Sequence, residues 1–233
     1  MANKLYIAID SDILRTLAYL NLLKKEHGFV DREKVKDHSL KKDLNYFLRL
    51  FKAIQNDEIR PLIVDAVFQE SKHSETLVDF MREYCYFPNV NAVNYQEKAQ
   101  KARELANLYC HEYTYREQVY KAPMKSVFVA DINKYVPTND CYIMAQATIE
   151  NCFLLTSNGQ DFIFDKRNED KSENDRVKGI ARINILNGYC EETAEGSYSA
   201  PRPLTISNVL GMLKYDEEFT EQVDDKVKAD TIL

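Results

Sequence analysis

Residues 4–9 read as a short strand that is apolar on both sides: Leu5, Ile7 and Ile9 alternate with Tyr6 and Ala8. Such a strand must be covered on both faces, the usual situation in a parallel sheet sandwiched between helices. It stops abruptly at Asp10-Ser11-Asp12, and a helical pattern of Ile13, Leu14, Leu17, Ala18 and Leu20 begins at once. The acidic triplet therefore sits where a buried strand turns into a helix.

The same alternation recurs. Residues 39–54 carry a stripe of Leu40, Leu44, Phe47, Leu48, Phe51 and Ile54 at helical spacing, with Ser39 as its cap. Arg60-Pro61 breaks the chain, and residues 62–64 read as a second buried strand. A turn or helix carrying Glu70 leaves it. Ser74 is placed to cap a further helix, residues 90–93 read as a weaker strand, and residues 95–115 as a helix. Residues 121–135 fit no single pattern. Pro137-Thr138-Asn139-Asp140 opens a helix to about residue 151. Residues 153–156 form a strand ending in Ser157-Asn158-Gly159, residues 165–178 a charged loop, residues 181–186 a last strand and residues 205–213 a short helix. Strands separated by helices imply crossovers of one hand and a central, mainly parallel sheet flanked by helices. The expected organisation is one α/β domain over residues 1–215 and an acidic tail over 216–233.

Composition removes several alternatives. No stretch among the 233 residues approaches the roughly 20 apolar residues of a membrane span. The first residues lack the apolar core of a secretory signal, so a cytoplasmic protein is expected. Cys85, Cys110, Cys141, Cys152 and Cys190 share no zinc-ligand spacing and read as free thiols. The net charge of −6 is opposite to that of a simple nucleic-acid binder, although cations bound among carboxylates would reverse the local field.

In open α/β sheets, sites lie beyond the carboxyl ends of the strands. Asp10, the segment to Glu70 and the segment to Asp161 all follow strand ends, and Asp140 starts the helix that leads into the last of these. Four acids from separate segments thus converge on one edge. Hard cations take oxygen ligands, and Mg²⁺ or Mn²⁺ between such acids provides the means to hydrolyse a phosphodiester.

At these residues the chain resembles the PIN domain, the nuclease fold of VapC-type toxins and of several RNA-processing enzymes. The matching stretches are Ile7-Ala8-Ile9-Asp10-Ser11-Asp12, Leu62-Ile63-Val64 leading to Glu70, Asn139-Asp140-Cys141-Tyr142-Ile143-Met144-Ala145-Gln146-Ala147, and Leu155-Thr156-Ser157-Asn158-Gly159-Gln160-Asp161-Phe162. The resemblance implies a PIN-like three-layer sandwich and a metal-dependent, toxin-like endoribonuclease. It implies metal binding by Asp10, Glu70, Asp140 and Asp161, with Asn158 beside them and Ser11 and Thr156 shaping the site by hydrogen bonds. An RNA substrate, an antitoxin or other protein partner, and a homodimer are implied too. The chain departs from the family at Asp12, where Asn is usual, and at Asp65, where a hydroxyl residue is frequent. It also departs at Asn158, where many members have an acid, so the fourth position is divided between Asn158 and Asp161. Asp12 or Asp65 could supplement the site.

Plainer readings stand beside these. Asp10-Ser11-Asp12 also suits a helix cap, Asp140 a helix start, Glu70 a solvated surface and Asp161 a turn. Tyr109, Tyr113, Tyr115 and Tyr120 could stack on bases, although core packing accounts for most tyrosines. Two rival functions remain: a phosphatase of the HAD kind using Asp10 and Asp12, and a PIN-like module that binds RNA or protein with a weakened site.

Overall fold

Ile7, Ala8 and Ile9 are all buried, as are Leu154 and Leu155. Because successive strand residues point to opposite faces, burial of consecutive residues requires layers above and below the sheet. The computed structural model of the chain describes residues 5–35, 38–88, 92–120, 122–158 and 203–213. Within them β1 (Leu5–Ile9) leads into α1 (Ser11–His27), α2 (His38–Gln55), β2 (Ile59–Leu62), α3 (Asp65–Ser71), α4 (Glu75–Tyr84) and α5 (Ala92–Cys110). Two hairpins follow, β3–β4 (Tyr113–Tyr115 and Gln118–Tyr120) and β5–β6 (Ser126–Val129 and Lys134–Pro137). Then come α6 (Asn139–Ile149), β7 (Phe153–Leu155), β8 (Pro203–Leu204) and α7 (Ile206–Met212).

The central sheet has the order β2-β1-β7-β8, and every pair in it is parallel. The chain moves outward from β1 to β2, adds a single parallel bridge at Tyr86, then returns to the other side of β1 as β7. A topological switch point therefore lies between β1 and β7, the place where such sheets open a crevice at their carboxyl ends. Helices fall into packed groups: α1 lies against α2 and α4, α2 against α7, and α5 against α6, while α3 touches both α6 and α1. This α/β architecture is compatible with a three-layer sandwich. No helix among the described residues is long and apolar enough to cross a membrane.

α1 starts with Asp10 as its cap and ends at Gly28, whose φ of 80° lets its N–H reach the Lys24 carbonyl at 2.8 Å. Its buried stripe contains the expected Ile13, Leu14, Leu17, Ala18 and Leu20. In α2 the expected Leu40, Leu44, Phe47, Phe51 and Ile54 are buried and Leu48 packs at the margin. That helix begins at His38, one residue before the serine expected to cap it. Ser74 does stand at the cap of α4, but its side chain makes no capping bond.

Several sequence readings need correction. The second strand is Ile59–Leu62, not 62–64, so Pro61 lies inside it. The missing N–H costs little there, because Pro61 faces away from β1: its carbonyl accepts from Tyr86 N at 2.7 Å on the outer side. The weak strand at 90–93 does not form at its described end, since Ala92 already belongs to α5, and the sheet instead gains the Tyr86 bridge. The helix expected to reach residue 115 stops at Cys110, and Tyr113 and Tyr115 belong to a hairpin. The ambiguous residues before Tyr135 form most of the second hairpin. The fourth strand, Pro203–Leu204, had no counterpart in the sequence reading. The charged loop, the strand expected at 181–186, Cys190 and the tail lie outside the described residues.

The four described cysteines are free thiols. Burial pushes the Cys85 thiol up to about 12 and the Cys152 thiol up to about 11.

Candidate active site

Asp10 is the last residue before α1, and its backbone N–H donates to the Leu155 carbonyl at 3.0 Å. The β1–β7 ladder thus continues one step past the strand and fixes the carboxylate at the switch point. The side chain is 4% exposed. One oxygen accepts from the Ser11 backbone N–H at 2.6 Å and the other from the Thr156 hydroxyl at 2.8 Å. Thr156 is held in turn, accepting from the Asn158 backbone N–H at 2.9 Å while its own N–H donates to Leu204 at 3.1 Å. Four segments, the ends of β1, β7 and β8 and the start of α1, therefore lock one carboxylate.

Glu70 reaches the same place from α3. The Ser11 hydroxyl donates to one of its oxygens and the Asn139 side-chain amide to the other. Ser11 joins the two acids, because its backbone binds Asp10 and its hydroxyl binds Glu70. Asn139 opens α6, and Asp140 is the next residue, half-buried in the first turn. The α3–α6 contact is reinforced by Gln146, whose side-chain oxygen accepts from Ala66 N at 2.9 Å.

Burial is the main cause that raises the Asp10 carboxyl above its ordinary value. The Thr156 hydrogen bond opposes it, repulsion from Asp12 adds to it, the Ser11 N–H opposes it and Glu70 repulsion adds a little more. Asp12 itself is exposed and accepts from Arg15 at 3.1 Å. Asp65 is exposed at the start of α3 and holds Gln69 at 3.1 Å. Asp161 lies outside the described residues.

The structure therefore brings Asp10, Ser11, Glu70, Thr156 and the backbone of Asn158 into one hydrogen-bonded group, with Asp140 beside it in sequence. Among the described residues, no three acids, histidines or cysteines gather closely enough to form a ready-made metal cage. Asn139 and Gln146 were not singled out from the sequence. For Asn139 the signal was its place in the helix-opening motif next to Asp140; for Gln146, seven residues on, there was none.

For two of the four tyrosines the structure agrees with core packing. Tyr109 is fully buried and hydrogen-bonded to Thr148 at 3.1 Å, and Tyr113 is buried as well. Neither can stack on a base.

No family model, curated protein or solved structure matches this chain.

Proposed function

We propose that the chain is a metal-dependent endoribonuclease with a PIN-like fold, hydrolysing RNA phosphodiester bonds at the Asp10–Glu70–Asp140 edge. The observation that carries this reading is a desolvated carboxylate at the switch point of a parallel sheet, tied through Ser11 to Glu70 and through Glu70 to the start of α6. Acids repel one another, so gathering them at a buried edge is costly unless a cation is their counterpart. RNA as the polymer rests on the resemblance of the motifs.

The donor set fits a hard cation. Asp10 and Glu70 offer carboxylate oxygens, and an oxygen that accepts one hydrogen bond retains a further lone pair. Mg²⁺ keeps several waters and needs only one or two protein carboxylates, so a closed cage is not required. Asp10 and Glu70 would hold it, with Asp140 and Asp161 completing the set. When bound, a divalent cation supplies an activated water and neutralises developing phosphate charge.

The chain's own residues do the positioning. Thr156 and the Ser11 N–H keep Asp10 in one orientation. Ser11 and Asn139 grip Glu70 from two elements, so the acids cannot swing apart as charge builds. The rival phosphatase reading has less support: Asp10 is buried with both oxygens engaged, and Asp12, its proton donor in that scheme, is turned to Arg15.

The test is cleavage of a mixed single-stranded RNA pool with Mn²⁺ or Mg²⁺, comparing the native chain with Asp10→Asn and Asp140→Asn. Metal-dependent cutting that falls at least about 100-fold in both variants, and stops with a chelator, is expected. No cutting by the native chain, or cutting that both variants retain, overturns the reading.

A further inference from the structure

Two buried thiols meet where α5 ends and α6 begins. Cys110 is the last residue of α5, and Cys141 lies in the first turn of α6. They are 4% and 0% exposed, and their side chains stand within hydrogen-bonding reach of each other. The Cys110 sulfur is also 2.9 Å from His111 Nδ1 and 3.4 Å from the Asn107 carbonyl. The Cys141 sulfur is 3.3 Å from the Lys125 carbonyl and 3.5 Å from the Thr138 hydroxyl. A cysteine that only fills an apolar gap needs no such polar company. Cys85 and Cys152 differ: burial is the main influence on each, and among the described residues neither meets a second thiol.

The frame around the pair is firm. α5 packs on α6, and the Tyr109 hydroxyl, one residue before Cys110, is hydrogen-bonded to Thr148 of α6 at 3.1 Å. The Tyr109 carbonyl accepts from Met124 N at 2.9 Å, which anchors the segment whose Lys125 carbonyl meets Cys141. On its other side Cys141 directly follows Asp140, and Asn139 before them holds Glu70. The thiol pair therefore lies within one turn of α6 from the acidic edge, yet it takes no part in the bonds that tie Asp10 to Glu70.

From this we infer that Cys110 and Cys141 are a modification site, joined by a hydroperoxide into a disulfide that ties α5 to the first turn of α6 and turns the acidic edge off. One sulfur attacks a peroxide oxygen; the O–O bond breaks and a sulfenic acid forms. The second sulfur attacks the first, the S–S bond forms, the S–O bond breaks and hydroxide leaves. Two electrons pass from the sulfurs to the peroxide. The two thiol protons end on the departing oxygens, that of Cys110 by way of His111 Nδ1, so hydrogen peroxide becomes two waters. Enclosure selects a small oxidant: hydrogen peroxide is little larger than water, whereas a bulky disulfide must enter a close-packed interior. A covalent S–S bond is much shorter than a contact between two thiols, so closing it draws the start of α6 toward α5 and takes Asn139 and Asp140 with it. The effect on cutting rests on the nuclease reading; the disulfide itself does not.

The experiment starts with the native full chain, incubated with hydrogen peroxide, alkylated after unfolding, digested without reductant and analysed by mass spectrometry. The expected product is a peptide pair joined through Cys110 and Cys141, present in most chains and lost on adding dithiothreitol. Reduced and oxidised chains are then compared for metal-dependent cutting of the RNA pool, after catalase has removed the peroxide. Cutting should fall about tenfold or more on oxidation, since a displacement of about 1 Å is enough for that, and should return with dithiothreitol. Cys110→Ala, checked for folding by circular dichroism, should cut at a rate that peroxide leaves unchanged. The mass spectrum needs no variant, so it decides the site even where that variant unfolds. Both sulfurs still free after peroxide, sulfinic acid on either without the joined pair, or links to Cys85, Cys152 or Cys190 in its place overturn the proposal. So does a joined pair that leaves cutting unchanged. The two readings fail separately: a joined pair with no cutting by the reduced chain removes only the nuclease, and cutting that is lost in Asp10→Asn with no joined pair removes only the disulfide.

Discussion

Asp10 concentrates a conflict between folding and chemistry. Its carboxyl is raised chiefly by burial, so the folded chain holds that proton to a higher pH than the unfolded chain does. Between the ordinary carboxylate range and the raised value, the unfolded state binds fewer protons, and stability falls as pH rises. Asn keeps the capping role, because it serves as well as Asp at a helix start. Asp10→Asn is therefore expected to melt above the native chain at neutral pH in chelator, with the gap closing in acid. Mg²⁺ or Mn²⁺ should raise the native midpoint and leave the variant nearly unmoved, because only the native site gains from ligand linkage. Differential scanning fluorimetry at several pH values checks both. A variant midpoint at or below the native one at neutral pH means that the carboxylate is not destabilised by its setting.

At the scale of elements, legibility followed turn chemistry. β1 and α1 were plain in the sequence because an unbroken apolar run ends at a capping acid. α6 was plain because Pro137 and Thr138 mark its start. The β3–β4 hairpin was hidden: its turn passes through Arg116 and Glu117, with φ of 47° and 66°, and neither is a residue that signals such a turn. The aromatic run around it read as helix instead. In β5–β6 the left-handed position is held by Asn133, with φ of 49°, a residue suited to it. Sequence spacing alone did not separate that signal from its apolar neighbours. β8 pairs only two residues with β7 and is too short to leave a pattern. The left-handed pair at 116–117 is a local strain, so Glu117→Gly should stabilise the chain by about 0.5–1 kcal/mol after the entropy cost of glycine is subtracted. Chemical denaturation measures this, and a destabilised variant would mean that the Glu117 side chain contributes more than its backbone strain costs.

For the molecule as a whole, the candidate site was legible as positions but not as connections. Asp10, Glu70 and Asp140 were found from strand ends and motif order. The bonds that tie two of them together, Ser11 to Glu70 and Asn139 to Glu70, join residues 59 and 69 positions apart, and no local pattern encodes that. Charge is a second property of the whole. A protein of −6 should make few phosphate contacts. At about 0.7 per contact for single strands, two or three contacts predict a slope near −2 in log affinity against log salt. Anisotropy titrations across salt concentrations give the slope directly. A value steeper than about −4 would place the RNA on a broader basic surface.

Pro61 has a bearing on how copies of this chain coexist. The outer margin of β2 offers carbonyls at residues where a neighbouring strand would also need a donor, and Pro61 has none to give. Its one rung on that side is already filled by Tyr86. A foreign strand arriving there meets a ladder with a missing step, so this margin of β2 is a poor template for edge-to-edge growth. The imino acid that made this strand hard to find in the sequence is thus also a guard against aggregation.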